Sequence, residues 1–187
     1  MISLARFILK GHSQAALVAA SMAMLGILLP PLAWLSGAAV ALVTLVNGHR
    51  SGLLVTAIAA IGTAVLAGLI LSAPILAAYY VLIVWLPLVL VAVVLRQTVS
   101  LEFCLQLIAA VSMIGLTLVY VLYPDFGEIW RTELNLMADD LVARSEGTVD
   151  KAQLMQVIDQ IVRILPGFFA SSFMIGTMLS LYLARWW

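Results

Sequence analysis

The sequence predicts an all-α integral membrane protein, and two properties of the chain support this class. First, 65% of the 187 residues are hydrophobic and only 10% are charged, with a mean hydropathy of +1.18. A soluble domain is about half apolar and about a quarter charged. Second, the charged residues fall between long apolar segments rather than inside them. The net charge of zero also argues against a nucleic-acid partner.

Six apolar segments approach the length of about 20 residues that spans a bilayer. The predicted crossings cover residues 13–29, 32–46, 51–71, 75–95, 101–123 and 167–184. Pro30 and Pro31 separate the first two, because proline supplies no N–H donor and clashes with the preceding turn. The turn NGHR ends the second, SAP the third and PDFG the fifth, and Pro87 is expected to kink the fourth. We interpret the first as a retained helix and not a cleaved signal peptide, because hydrophobicity continues past Ala23.

The charges between the crossings predict their orientation. With the N-terminus in the cytoplasm, the outer turns at 30–36 and 72–74 hold no charge, and segment 124–166 carries four basic and eight acidic residues. The inner segments hold Arg6, Lys10, Arg50, Arg96 and Arg185. This distribution satisfies the positive-inside rule. The sequence therefore predicts a multi-pass protein of a bacterial cytoplasmic membrane, with both ends of this chain in the cytoplasm.

The outer segment 124–166 has the spacing of two amphipathic helices. Apolar residues recur at Trp130, Leu134, Met137 and Leu141, and again at Leu154, Ile158, Ile161 and Leu165. Gly147 separates the helices as a helix C-terminal glycine does, and Thr148 is suited to cap the second. Two interpretations stay open. The helices lie on the membrane or cover the outer ends of the crossings, or they form a lid over a pocket.

Residue types that carry catalysis or ion coupling are missing from the centres of the predicted crossings. No Asp, Glu, Lys or Arg falls there, whereas ion-coupled carriers usually bury such groups. His12 and His49 lie near the inner surface, and Cys104 has no companion for a metal site. We predict no catalytic residue, no metal site, no cofactor and no enzymatic activity. Gln106 is unusual, because an amide inside the membrane needs a hydrogen-bond partner.

The first crossing carries a strip of small residues. Ala15, Ala19 and Ala23 recur every fourth residue and so line one side of a helix. In lipid, helices associate through close backbone approach, which small side chains permit. The strip is therefore either an internal helix contact or a docking face for a separate protein. A docking face would be exposed to lipid in the isolated chain.

The layout resembles that of the substrate-binding S-components of energy-coupling factor transporters. The shared features are six crossings, the alanine strip, and the PP turn before a short second helix. More specifically, the chain resembles the uncharacterised YybS-like family of bacterial membrane proteins, which look like distant relatives of S-components. That similarity involves GHRSG, the helical insertion leading to RILPGFFASSF, and the closing YLARWW. Members of that family tend to continue with further crossings, so the chain is expected to continue beyond Trp187.

The resemblance implies a partner and a pocket. Ala15, Ala19 and Ala23 match the S-component docking motif, which meets a transmembrane coupling protein that carries two ATPases. A small-molecule substrate would bind in the outer half, between the 30–36 turn, the fourth crossing and the start of the sixth. Aromatic and hydroxyl side chains in that region give the expected mixture of apolar and polar groups. The predicted pocket residues, each of which also fits an anchoring or packing role, are Trp34, Tyr79, Tyr80, Ser171 and Ser172.

Two functions of different classes follow from the sequence. The chain is a substrate-binding transport subunit energised by a partner, or it is a membrane scaffold or assembly factor without a small-molecule ligand. In the second case the alanine strip joins helices or protomers, so a homo-oligomer is also consistent with the sequence. A cavity opening outward from the last three crossings favours the first function, and a filled bundle favours the second.

Overall fold

A computed structural model describes residues 2–122, 126–144 and 151–187, and this part of the chain is helical and contains no strand. Its elements are α1 (Ile2–Ile8), α2 (His12–Leu28), α3 (Pro30–Asn47), α4 (His49–Leu71), α5 (Leu76–Tyr79), a π-helix (Tyr80–Trp85), α6 (Leu86–Thr98), α7 (Leu101–Leu122), α8 (Phe126–Arg144) and α9 (Lys151–Trp186). Among the described residues, five helical stretches are long and apolar enough to cross a membrane, and α2, with 17 residues, is apolar but shorter. The predicted class of an all-helical membrane protein is confirmed at this level.

The break between α2 and α3 lies where the sequence predicts it. Leu29 has an extended backbone (φ −131°, ψ 93°), as expected of a residue that precedes proline. Pro30 is the first residue of α3. A backbone N–H at that position makes no hydrogen bond within the helix, so proline loses none by lacking it. Gly48, between α3 and α4, has a backbone φ of +93°, which residues other than glycine rarely adopt.

Most helix boundaries lie within one or two residues of the prediction, but the start of the last helix does not. The last crossing is predicted to start at residue 167, but α9 runs from Lys151 to Trp186 through Pro166. A proline removes one backbone hydrogen bond, and a long helix tolerates that loss when its neighbouring groups compensate. The short helix α1 was not predicted. Gly147 and Thr148, the predicted separator and cap, lie outside the described residues.

The chain divides into two compact units. Unit 1 consists of the residues up to Ala109 together with Phe173–Trp187, and unit 2 is Ala110–Ser172. In unit 1, α2 packs most extensively against α3 and α4, and α3 also packs against α6. All nine residues from Ser36 to Thr44 are buried, so α3 is the central helix of this unit. The basic residues of unit 1 lie on or next to segments that meet at one end of this unit, which we call the basic end: Arg6, Lys10, Arg50, Arg96 and Arg185.

Small residues let the helices of unit 1 approach closely. A methyl group added at Gly26 would lie 2.9 Å from Cβ of Ala33, and one at Gly52 would collide with the side chain of Thr44. The first pair joins α2 to α3, and the second joins α3 to α4. Close backbone approach is the main source of helix association in lipid, so these glycines are part of the packing.

Unit 2 contains a pair of amphipathic helical segments, α8 and the first part of α9. Their buried core is formed by Ala138, Ile158 and Val162, with Trp130, Leu134, Leu154 and Met155 packed around it. Arg131 forms ion pairs with Glu128 (2.7 Å) and Asp159 (3.0 Å). Of the predicted apolar residues, Met137, Leu141 and Ile161 are exposed and do not join this core. Ala138 and Val162 take their place, since the packed faces follow a spacing of four residues.

Candidate functional site: a buried hydrogen-bonded cluster on the alanine strip

The alanine strip lies in the interior of unit 1. Ala15, Ala19 and Ala23 each have an exposed fraction of 0%. Of the two interpretations that the sequence leaves open, this burial favours an internal helix contact, because the small side chains are used for packing within the chain. A separate protein would reach these methyl groups only if the helices of unit 1 moved apart.

Two hydroxyl groups bond to backbone carbonyls on this strip. The hydroxyl of Ser36 on α3 donates to the carbonyl of Ala19 at 2.7 Å. The hydroxyl of Tyr80, at the start of the π-helix, donates to the carbonyl of Ala23 at 2.7 Å. A carbonyl oxygen has a second lone pair after its helical hydrogen bond is made. Because alanine side chains are short, both carbonyls remain accessible to these donors.

Trp85 extends this network deeper into unit 1. Its indole N–H donates to the hydroxyl oxygen of Ser36 at 3.0 Å, so Ser36 links Trp85 to the carbonyl of Ala19. The rings of Tyr80 and Trp85 also contact each other, with centroids 5.7 Å apart. Every polar atom of these three side chains is thus hydrogen-bonded, which removes the free-energy cost of burying them.

The π-helix places Tyr80 and Trp85 on the same face. A π-helix joins residues i and i+5, so residue 85 stacks approximately over residue 80. In an α-helix the same two positions would point about 140° apart. Pro87 follows immediately, in the first turn of α6. A π-helical segment therefore lies just before Pro87, where the sequence predicts a kink, and this segment brings both aromatic rings to the alanine strip.

Three predicted pocket residues lie in unit 1, at the end opposite the basic end. The carbonyl of Trp34 accepts a hydrogen bond from Ser180 (2.9 Å), and its indole lies beside Gly176. Tyr79 is 54% exposed and meets the ring of Tyr80 edge-on. Tyr80 itself is 5% exposed and is occupied by its bond to Ala23. Of these residues, Trp34 and Tyr79 retain surface that a ligand can contact.

The other two predicted pocket residues belong to unit 2. Ser171 and Ser172 are both exposed. The hydroxyl of Ser171 donates to the carbonyl of Phe168 in its own helix at 3.0 Å, which is a common arrangement for serine in membrane helices.

Ser36 and Trp85 are not among the site residues predicted from the sequence. The available signal was the position of Trp85 in the middle of an apolar segment, because the other tryptophans lie near predicted helix ends. An indole at that depth needs a hydrogen-bond acceptor. Within the described ranges, no group of three His, Cys, Asp or Glu side chains is arranged to hold a metal ion. The cluster is built from neutral groups and is suited to positioning helices.

In comparisons with known proteins, no family model, no curated protein and no solved structure matches this chain.

Proposed function

We propose that this chain is a six-crossing subunit of a larger assembly in a bacterial cytoplasmic membrane. Its α2 is the first crossing, supported by its apolar sequence and its packing along α3 and α4. The basic end of unit 1 faces the cytoplasm, in keeping with the positive-inside rule. Unit 2 then contributes α8 and the first part of α9 to the extracytoplasmic side.

The surface of α7 is the observation that carries the assembly proposal. The part of α7 that belongs to unit 1 exposes Phe103, Leu105 and Gln106. On this surface Gln106 is exposed, close to Phe103 (50% exposed). A primary amide that faces hydrocarbon loses its hydrogen bonds with water. An amide or hydroxyl on a neighbouring membrane helix would restore them.

Within such an assembly, a scaffold or assembly role agrees best with the interior of unit 1. Its largest fully buried side chains include Trp85, Leu88, Ile108 and Leu181, and they fill the space between α3, α6, α7 and the end of α9. These packed side chains supply a rigid surface for a partner.

A substrate-binding subunit energised by a partner is the second candidate. Trp34 and Tyr79 keep accessible aromatic surface at the end of unit 1 that would face outward. No carboxylate, amine, guanidinium or imidazole is buried in the part of unit 1 that the structure describes, so energy would come from a partner. Because Ala15, Ala19 and Ala23 are buried, a coupling protein with ATPases would use another surface, and the α7 surface is open to it.

Replacement of Gln106 tests the assembly proposal, with Gln97→Leu as a matched control. Gln97 is also exposed but lies in the last turn of α6, where water can reach it. An interhelical polar contact is worth about 0.6–2 kcal/mol. Gln106→Leu should therefore weaken association about three- to thirtyfold, measured as the complexed fraction in native mass spectrometry from mild detergent. Association that is unchanged in Gln106→Leu, or equally weakened in Gln97→Leu, would contradict the proposal.

Cysteine labelling in intact cells tests the topology. The native Cys104 is fully buried and should give little background. A membrane-impermeant reagent should label Met137→Cys in α8 from outside and should leave Arg50→Cys unlabelled until the cells are opened. Labelling of Arg50→Cys in intact cells would reverse the orientation.

Mass spectrometry of co-purified small molecules separates the two roles. A scaffold should carry no stoichiometric metabolite. A substrate-binding subunit should retain one, and Tyr79→Ala should release it.

A further inference from the structure

A cavity of about 390 Å³ lies at the basic end of unit 1, where α3, α6 and α9 end. Eight of its ten lining side chains are apolar, and the other two are Arg96 and Arg185. Its apolar wall includes Leu45 and Val46 of α3 and Leu95 of α6. The cavity therefore combines a wall suited to hydrocarbon with two guanidinium groups.

Neither arginine is neutralised within the part of the chain that the structure describes. No ion pair there involves Arg96 or Arg185, although Glu102, the single acidic residue of unit 1, lies on the neighbouring α7. Arg96 makes a long hydrogen bond of 3.5 Å to the carbonyl of Thr44. A methyl group at Gly48 would lie 2.9 Å from Nη1 of Arg96, so the glycine leaves room for the guanidinium.

Trp187 also lines this cavity. Its indole nitrogen is buried, with no accessible surface and no hydrogen-bond partner among the described residues, so a ligand in the cavity does not contact that nitrogen. The indole ring adds to the apolar wall, and the donors that the cavity offers are the two guanidinium groups.

We propose that this cavity binds an anionic phospholipid. The phosphate would lie between Arg96 and Arg185, and the part of an acyl chain next to the headgroup would lie along the apolar wall. Guanidinium groups form strong paired hydrogen bonds with phosphate oxygens. Basic cavities between membrane helices on the cytoplasmic side are known to bind lipid headgroups. A lipid fits better than a soluble anion, because most of the wall is apolar and would gain nothing from a small hydrophilic ion.

Native mass spectrometry of the 187-residue chain in mild detergent tests this site directly. Dioleoyl phosphatidylglycerol should bind more tightly than dioleoyl phosphatidylcholine, which has the same acyl chains and no net charge. A basic residue near an anionic headgroup contributes about fivefold in affinity. Arg96→Gln and Arg185→Gln should each weaken phosphatidylglycerol binding by about that factor, and the double variant by about 25-fold.

Arg50→Gln is the matched control, because Arg50 carries the same charge at the same end but does not line the cavity. It should change binding less than twofold. Arg96→Lys should fall between the wild type and Arg96→Gln, since lysine keeps the charge but loses the planar pair of donors. Thermal unfolding of each variant verifies the fold, and competition between the two lipids on the wild-type chain gives a result even if the double variant does not fold.

Three outcomes would overturn the proposal. Equal binding of the two lipids would mean that the arginines do not recognise the headgroup. An Arg50→Gln effect as large as that of Arg96→Gln would mean that only the diffuse positive potential matters. Displacement of phosphatidylglycerol by millimolar inorganic phosphate or glycerol phosphate would identify a site for small anions.

Discussion

The indole N–H of Trp85 donates a hydrogen bond to the hydroxyl of Ser36 at 3.0 Å, and both side chains have an exposed fraction of 0%. Ser36→Ala leaves this indole without an acceptor and should lower the free energy of unfolding by about 1–3 kcal/mol. In a chain that already carries Trp85→Phe, the same serine replacement should cost less, because no donor is left unpaired. A double-mutant cycle measured by reversible unfolding in detergent checks the difference. Equal costs in both backgrounds would show that the contact contributes nothing.

Ala19→Leu should destabilise the isolated chain. The methyl group of Ala19 is fully buried, and three extra carbon atoms would force the neighbouring helices apart, at a cost of about 1–3 kcal/mol. Ala57→Leu is the matched control, since Ala57 is exposed on α4, and it should unfold at the wild-type temperature. If Ala19→Leu kept normal stability but lost a co-purifying membrane protein, the docking interpretation of the strip would return.

Replacement of each of two helical glycines by alanine should change stability in opposite directions. Gly52→Ala places a methyl group against the buried side chain of Thr44 and should cost about 1–3 kcal/mol. Gly115→Ala meets no atom within 4 Å, and it should stabilise α7 by about 0.5–1 kcal/mol through reduced backbone entropy in the unfolded chain. Thermal unfolding of both variants distinguishes these signs, and a neutral Gly52→Ala would mean that α3 and α4 can separate freely.

The apolar core, rather than the ion pairs, should hold α8 against α9 in unit 2. Ile158 is 5% exposed, and Ile158→Ala should cost about 2–5 kcal/mol. Asp159→Asn breaks the ion pair with Arg131, but both partners are at least one-third exposed, so the cost should be about 0–1 kcal/mol. Hydrogen exchange of the α8 amides measures both effects. Comparable opening of α8 in the two variants would contradict this ranking.

The helix positions of this chain were largely predictable because local chemistry sets them. Pro30, Pro31 and the glycine-containing turn at Gly48 end helices through backbone constraints that act over a few residues. The break between α2 and α3 was therefore predicted correctly. The continuation of α9 through Pro166 was not predicted, because a proline within a long helix removes a single hydrogen bond, and the groups around it decide whether the helix continues.

What each helix face packs against was harder to predict than where the helices lie in the sequence. An alanine strip has the same spacing whether it packs against a helix of its own chain or of a partner. The burial of Ala15, Ala19 and Ala23 could therefore be seen only in the structure. The cluster was missed for a related reason. A π-helical turn changes which residues share a face, and the α-helical spacing used to interpret the sequence separates Tyr80 from Trp85 by about 140°.

The π-helix also determines which changes of length the fourth apolar segment can tolerate. A π turn contains about one residue more than an α turn, so five steps along it rotate the chain about as far as four steps along an α-helix. Deletion of one residue between Tyr80 and Trp85 would therefore restore a regular α-helix and leave the two aromatic residues four positions apart, at about 40° to one another. Tyr80 could still reach the carbonyl of Ala23 while Leu88, Ala92 and Leu95 stay in the core. The π turn thus absorbs one surplus residue without rotating the two stretches of helix that it joins.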